Sequence, residues 1–279
     1  MIIDAHHHLW DPVRHEYPWM DGDALAPLRR AYTVDDLWEV TDGRVAHTVL
    51  VQTISDAAET AGFLATASAN DGLIKGVVGW VDLTAPDVAD RIAGLRAGPG
   101  GDRLVGVRHQ VQDEPDPGWF ARPEVLRGLR AVGAAGLVYD LLVLVPQLDV
   151  AADVVRQLPE VSFVLDHLAK PNIAQGQWEP WASGVAGLAA LPNVAAKISG
   201  LVTEARWDSW DAGQIAPYVK HAVEVFGPQR LMYGSDWPVC TLAASYGEVW
   251  ELAGTLIQDL SETERAAVLG DTAVRVYGL

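Results

Sequence analysis

Short apolar stretches recur along the chain, and most of them are continuous rather than alternating between apolar and polar residues. Continuous runs rich in β-branched residues are typical of parallel strands that are buried on both faces. Their starts are separated by roughly 25 to 45 residues, the length of one strand and its helical crossover. The pattern predicts eight strands, which are Met1–Asp4, Ala46–Gln52, Ile74–Val81, Leu104–His109, Leu137–Leu144, Val161–Asp166, Val194–Ile198 and Leu231–Gly234.

Helix signals lie between these strands. Thr33 precedes a capping pattern, Ser55 is placed to cap the next helix, and Thr84 opens a segment with apolar residues on one face. Further helices are predicted over Asp56–Asn70, Glu124–Ala135, Gln147–Leu158, Ala182–Leu191, Ile215–Phe226, Ser245–Leu260 and Ser261–Leu269.

Eight strand–helix units in a chain of 279 residues predict an α/β fold, a (β/α)8 TIM barrel formed by one domain over residues 1–279. The alternative is an open, doubly wound sheet. That fold favours a glycine-rich turn after the first strand, and this chain has histidines there.

Composition and charge narrow the class of protein. The formal net charge is −17, so the surface repels nucleic acid and anionic membranes. No apolar run reaches 18 residues, and the N-terminal segment lacks the basic region of a signal peptide. Cys240 is the single cysteine, which excludes an intramolecular disulfide and favours the cytoplasm. The sequence is also compatible with a homo-oligomer.

Candidate chemistry lies at strand ends. His6 and His8 follow the first strand at positions i and i+2, so strand alternation turns them to one side and His7 to the other. His167 ends the sixth strand, and Asp236 follows the eighth. In a closed barrel the last strand lies beside the first, and active sites form at the carboxyl ends of the strands. We therefore expect these residues to share one site.

Five segments carry a family resemblance: IDAHHHLW, GVRHQVQDEPD, LDHLAKP, AAKISGL and YGSDWPV. In this order they resemble the amidohydrolase-2 group, and within it the sugar lactonases that open L-fuconolactone or L-rhamnonolactone. The similarity extends over essentially the whole chain. It implies a TIM barrel and hydrolysis of a sugar-acid lactone.

The resemblance also implies roles for the strand-end residues. His6, His8, His167 and Asp236 match the family's metal-binding positions, and zinc or manganese suits such donors. Asp236 would act as general base toward water, with His167 as a second catalytic residue. The fourth strand has no lysine to bridge two metals, so one ion is expected. Some lactonases of the group work without metal, and the histidines would then bind substrate.

Several other residues are candidate substrate contacts. Arg108 and His109 end the fourth strand, and Arg108 offers a planar donor fork for a carbonyl or carboxylate. Adjacent strand residues face opposite sides, so one of the two is expected to point into the pocket, and the sequence leaves open which. Lys170 follows His167 by three residues and can bind a substrate oxygen. Trp10 and Trp237 lie near strand ends, where an aromatic face can pack on a sugar ring. Weaker candidates are Gln52 and Asp140.

Two other functions compete with lactone hydrolysis. Relatives of the same superfamily are metal-dependent decarboxylases, which release CO2 from an unsaturated or aromatic acid. The third hypothesis is a non-catalytic sugar-binding protein. The presence of four such residues, His6, His8, His167 and Asp236, argues against it, because a binding protein does not require them together.

Overall fold

One sheet of eight parallel strands forms the centre of the molecule, and each strand pairs with its neighbour in chain order. The computed structural model describes all residues, 1–279. The strands are β1 Ile3–His7, β2 His47–Val51, β3 Ile74–Gly79, β4 Leu104–His109, β5 Val138–Leu141, β6 Ser162–Leu165, β7 Val194–Ile198 and β8 Leu231–Tyr233.

Helices follow the strands and cover the outside of the sheet. They are α1 Val34–Thr41, α2 Ala57–Ala69, α3 Val88–Ala97, α4 Pro123–Ala134, α5 Leu148–Gln157, α6 Trp181–Ala189, α7 Leu201–Glu204, α8 Ala212–Phe226, α9 Tyr246–Leu256, α10 Glu262–Ala266 and α11 Thr272–Tyr277. None of them combines the length and apolar character needed to cross a bilayer.

The sheet closes between β1 and the segment after β8. The amide of Asp236 donates to the carbonyl of His6 at 2.8 Å, and the amide of His8 donates to the carbonyl of Trp237 at 2.7 Å. These bonds confirm the predicted (β/α)8 barrel. They also fix the backbone of Asp236 directly beside the histidines of β1.

The core has two parts. A large cluster fills the space between strands and helices, and a smaller one, which includes Ile3, Val49 and Val164, fills the barrel. Ala273 and Tyr277 of α11 belong to the smaller cluster. The C-terminal helix therefore closes one end of the barrel, while the other end stays open for a site.

Three local expectations need correction. The first strand runs from Ile3 to His7 and not from Met1 to Asp4, because His6 and His7 have buried polar partners and so continue the strand beyond the apolar run. The cap of α2 is Asp56, not Ser55, and its side chain accepts a hydrogen bond from the amide of Ala58. The sequence reading also missed α7, which is only four residues long.

Candidate active site

His6 and His8 of β1 face the barrel interior. Their Nε2 atoms lie 3.1 Å apart, whereas the ring of His7 turns away to a threonine of β2. The pairing of β1 with β2 shifts register just before His7, and Ala5 packs in the inner cluster. Strand alternation thus separates His6 and His8 from His7, as predicted. Because Ala5 also faces inward, alternation alone would turn His6 outward, and the bulge is what brings His6 and His8 to the interior.

The first-strand histidines are held as neutral rings. His8 Nδ1 lies 2.8 Å from the carbonyl oxygen of Val51, so Nδ1–H donates and the Nε2 lone pair is directed to the interior. Burial lowers the pKa of His6 well below its usual range, and burial also lowers the pKa of His8. Both rings can therefore act as ligands or hydrogen-bond acceptors at neutral pH.

His167 begins a left-handed turn at the end of β6. Four consecutive residues, His167 to Lys170, have φ between 50° and 60°, a conformation that costs roughly 1–2 kcal/mol per residue. The indole N–H of Trp181 donates to the carbonyl of Leu168 at 2.6 Å and supports the turn. The amide of Lys170 also donates to the carbonyl of His167 at 2.9 Å.

The turn aims His167 at the site. Ser199 Oγ lies 2.8 Å from His167 Nδ1 and orients the ring. Burial lowers the pKa of His167 to about 4, so this ring is also neutral. With roughly three residues per turn, positions i and i+3 share a face, which brings Lys170 to the side of His167. Strain at a site of this kind is typical of functional segments.

Asp236 lies among the three imidazoles, and its own φ is 57°. Its Oδ1 atom is 3.5 Å from His8 Nε2, 3.7 Å from His6 Nε2 and 3.9 Å from His167 Nε2. Burial opposes ionisation of the carboxyl, but His167 and His8, which gain positive charge in acid, outweigh it and lower its pKa. Asp236 is therefore an ionised carboxylate in a buried setting.

The donor spacing fits one divalent ion. Ligand atoms held about 2.0–2.1 Å from a tetrahedral zinc ion lie roughly 3.3 Å from one another. Donor atoms of His6, His167 and Asp236 all lie within 4.8 Å of each other, and His8 Nε2 lies 3.1 Å from His6 Nε2. The set is slightly wider than a filled site, and small movements of the side chains would close it.

Arg108 borders this set from β4. Its Nη1 atom lies 3.3 Å from His6 Nε2 and donates to Asp166 Oδ2 at 3.0 Å, while its Nε donates to Gln52 Oε1 at 2.9 Å. The guanidinium and a metal ion would therefore compete for the lone pair of His6 Nε2. Gln52, a weak candidate from sequence, orients Arg108 and does not line the cavity.

A network of buried charges lies beneath His6. Lys197 Nζ contacts Asp140 Oδ2 at 2.5 Å, Asp166 Oδ1 at 3.0 Å and His6 Nδ1 at 3.2 Å. The hydroxyl of Tyr277 donates to Asp140 at 2.8 Å. Sequence reasoning missed Asp166, Lys197 and Tyr277. A lysine inside the apolar run Val194–Ile198 was the one available signal.

A cavity of about 850 Å³ opens above these groups. The structure brings five of the predicted residues to its wall: His8, Arg108, His167, Lys170 and Asp236. His6 lies below them and is fully buried.

Three predicted substrate contacts, His109, Trp10 and Trp237, lie outside this cavity. His109 stacks on Trp119 with ring centroids 4.2 Å apart and binds Glu114 at 2.7 Å, outside the cavity. The indole of Trp10 donates to a backbone carbonyl, and Trp237 is only 2% exposed. The tryptophans that line the cavity are Trp19 and Trp207, in the loops after β1 and β7. Nothing in the sequence distinguished them, because which indole reaches the mouth depends on the course of these long loops.

Comparison with known proteins agrees with the fold and identifies the family. The family model described as amidohydrolase matches residues 3–279. L-fucono-1,5-lactonase of Burkholderia multivorans is 41% identical, covering 99% of this chain and 96% of that protein. L-fucono-1,5-lactonase of Burkholderia ambifaria is 35% identical over 99% of this chain and 94% of that protein. The chain belongs to the amidohydrolase family.

Solved structures of amidohydrolases have the same fold as this chain. A crystal structure of an amidohydrolase from Burkholderia multivorans with bound HEPES superimposes with a TM-score of 0.93 at 38% identity, covering 100% of this chain and 99% of that one. A second crystal form of that amidohydrolase, with bound zinc, gives a TM-score of 0.92 at 38% identity, with the same coverage.

Proposed function

We propose that the protein hydrolyses the ring ester of a sugar-acid lactone of the L-fucono-1,5-lactone type. The observation that carries the proposal is the ionised Asp236 held 3.5 to 3.9 Å from three neutral imidazoles at the base of an open cavity. The names of the two Burkholderia relatives support this substrate class. A carboxylate so placed can take a proton from water.

The reaction adds water across the bond between the carbonyl carbon and the ring oxygen. Asp236 removes a proton as the water oxygen bonds to the carbonyl carbon, and His167 orients that water. Asp236 then returns the proton to the ring oxygen as the carbon–oxygen bond breaks. Arg108 and Lys170 stabilise the oxyanion and the carboxylate product, because each presents a cation to the cavity.

We also propose that His6, His8, His167 and Asp236 bind one divalent ion, zinc in the first instance. Such an ion, when bound, polarises a carbonyl or lowers the pKa of water. The donor spacing and the zinc-bound Burkholderia structure support this proposal. Metal-free hydrolysis is the second candidate, because Arg108 already places a cation beside His6.

A decarboxylase gains no support beyond the shared barrel. The solved decarboxylases in the comparison are only 16% and 12% identical to this chain, with TM-scores of 0.67 and 0.66.

We place the reaction in the cytoplasm, since Cys240 is buried and has no cysteine partner.

The direct test is a pH-indicator assay against a panel of aldonolactones, with metal content measured on the same sample. We expect acid release from L-fucono-1,5-lactone well above the spontaneous rate. A panel in which no lactone opens faster than in buffer would refute the proposal. Release of CO2 from aromatic or unsaturated acids, measured in parallel, would favour the decarboxylase instead.

Replacing His8 by alanine tests the zinc proposal. We expect zinc binding to weaken by at least about tenfold, since even the loss of an outer hydrogen-bond partner has that effect. The measurement is competition with a zinc chelator followed by metal analysis. His15→Ala is the control, because His15 lies in a separate groove. Equal zinc affinity in both variants would place the ion elsewhere.

A further inference from the structure

Two oppositely charged side chains of the cavity wall have no partner within the protein. Lys170 and Glu204 both line the cavity that contains Asp236, and neither forms an ion pair or side-chain hydrogen bond. Partly buried charges normally find such partners, because the loss of hydration is otherwise uncompensated. Their hydrogen-bonding capacity is thus directed to whatever enters the cavity.

The local fold explains why Glu204 faces the reacting groups. α7 starts after Gly200, whose φ is 65°, and a Cβ there would lie 2.7 Å from His167 Nδ1 and 3.0 Å from Asp236 Oδ2. The start of α7 is therefore packed directly against His167 and Asp236. Glu204 follows Gly200 by four residues, about one helical turn, and so returns to the same side.

Glu204 differs from the other carboxylates around the cavity. Glu16 and Asp113 are exposed to solvent, and Asp56 caps α2. Glu204 is partly buried, and this burial raises the pKa of its carboxyl while Lys170 lowers it. Among the carboxylates of this wall other than Asp236, Glu204 is the one that is shielded from bulk water and has no hydrogen-bond partner in the protein.

We propose that Glu204 is a specificity-determining residue that accepts hydrogen bonds from hydroxyl groups of the lactone ring, with Lys170 donating to neighbouring oxygens. This inference rests on the proposed function and adds the feature of the substrate that is recognised. Sugar hydroxyls are both donors and acceptors, so a carboxylate and an ammonium along one wall can bind adjacent hydroxyls together. An unsubstituted lactone has no hydroxyl group to donate to Glu204.

The test compares two substrates with the same six-membered ring ester, L-fucono-1,5-lactone and the hydroxyl-free δ-valerolactone. Glu204→Gln keeps the shape and removes the charge. We expect kcat/KM for the sugar lactone to fall roughly tenfold to 150-fold, mainly through KM, since hydrogen bonds to charged groups have this strength. The fall for δ-valerolactone should be at least fivefold smaller. An equal fall on both substrates, or no fall on either, overturns the inference.

Glu204→Asp is the second variant, because it keeps the charge and withdraws it by one methylene. The same selective loss is expected, and it answers the question if Glu204→Gln fails to fold. Asp113→Asn is the matched control, since it removes an exposed carboxylate from the same cavity. Its ratio of activities on the two lactones should match the wild type.

A binding experiment separates this inference from the proposed function. The δ-lactam of L-fuconic acid keeps the hydroxyls and resists hydrolysis, so calorimetry can measure its binding whether or not any lactone is opened. Glu204→Gln should bind it at least about tenfold more weakly than the wild type. Equal affinity of both forms, or no binding by either, overturns the role of Glu204. If the wild type binds the lactam but opens no lactone, only the hydrolytic proposal fails.

Discussion

Replacing Asp236 by asparagine is expected to lower kcat on L-fucono-1,5-lactone by at least about a hundredfold, the contribution of a positioned general base. Asparagine keeps the size of the side chain but cannot take a proton from water. The backbone amide of residue 236 still bonds to the carbonyl of His6, so the barrel closure is kept. Steady-state kinetics measure the effect, and circular dichroism confirms the fold.

The pH profile gives an independent reading of the same residue. The pKa of the Asp236 carboxyl is lowered, so in the wild type its base form is present throughout the neutral range. The deficit of Asp236→Asn should therefore be constant between pH 6 and pH 8. Glu16→Gln, which changes an exposed carboxylate of the same cavity, should keep wild-type turnover. Near-normal turnover in Asp236→Asn would remove this residue from the base role.

The barrel was predictable because its signal is local. Each buried strand is a continuous apolar run, and β4 and β7 were predicted with their observed bounds, Leu104–His109 and Val194–Ile198. Short elements without a periodic apolar face, such as α7, give no comparable signal. The bulge in β1 was also invisible, since the register shift depends on pairing with β2.

The site was predictable where chemistry coincides with strand ends. His6, His8, His167 and Asp236 met these conditions, and the structure brings them together. The ion pairs of Lys197 with Asp166 and Asp140 were not predicted, because they join β7 to the end of β6 and to β5 inside the barrel. No spacing along the chain encodes such contacts. Glu204 was not predicted either, because it belongs to the four-residue helix α7, which has no periodic apolar face.

Replacing Lys197 by methionine is expected to destabilise the protein by about 3–5 kcal/mol, the usual cost of removing one partner from a buried ion pair. Lys197 is fully buried between Asp140 and Asp166, and methionine fills the space without supplying a cation. The loss is a large part of the roughly 5–15 kcal/mol that stabilises most domains. Urea unfolding at pH 8 measures it as a lower midpoint.

The pH dependence distinguishes lost charge from lost packing. Burial raises the pKa of Asp140 to about 6, and Lys197 opposes that shift, so the pKa rises further in the variant. A carboxyl whose pKa is raised by folding binds its proton more tightly in the folded state, and acidification then favours folding. The deficit of Lys197→Met should therefore shrink between pH 8 and pH 5.5.

Tyr277→Phe provides the control for this network. It removes the hydroxyl that donates to Asp140 and leaves Lys197 in place, so a smaller loss of about 1–3 kcal/mol is expected. A deficit of Lys197→Met that is the same at pH 8 and pH 5.5 would mean that the loss does not come from the missing positive charge. A deficit that shrinks with acid identifies Lys197 as the counter-charge that allows two carboxylates to lie beneath His6.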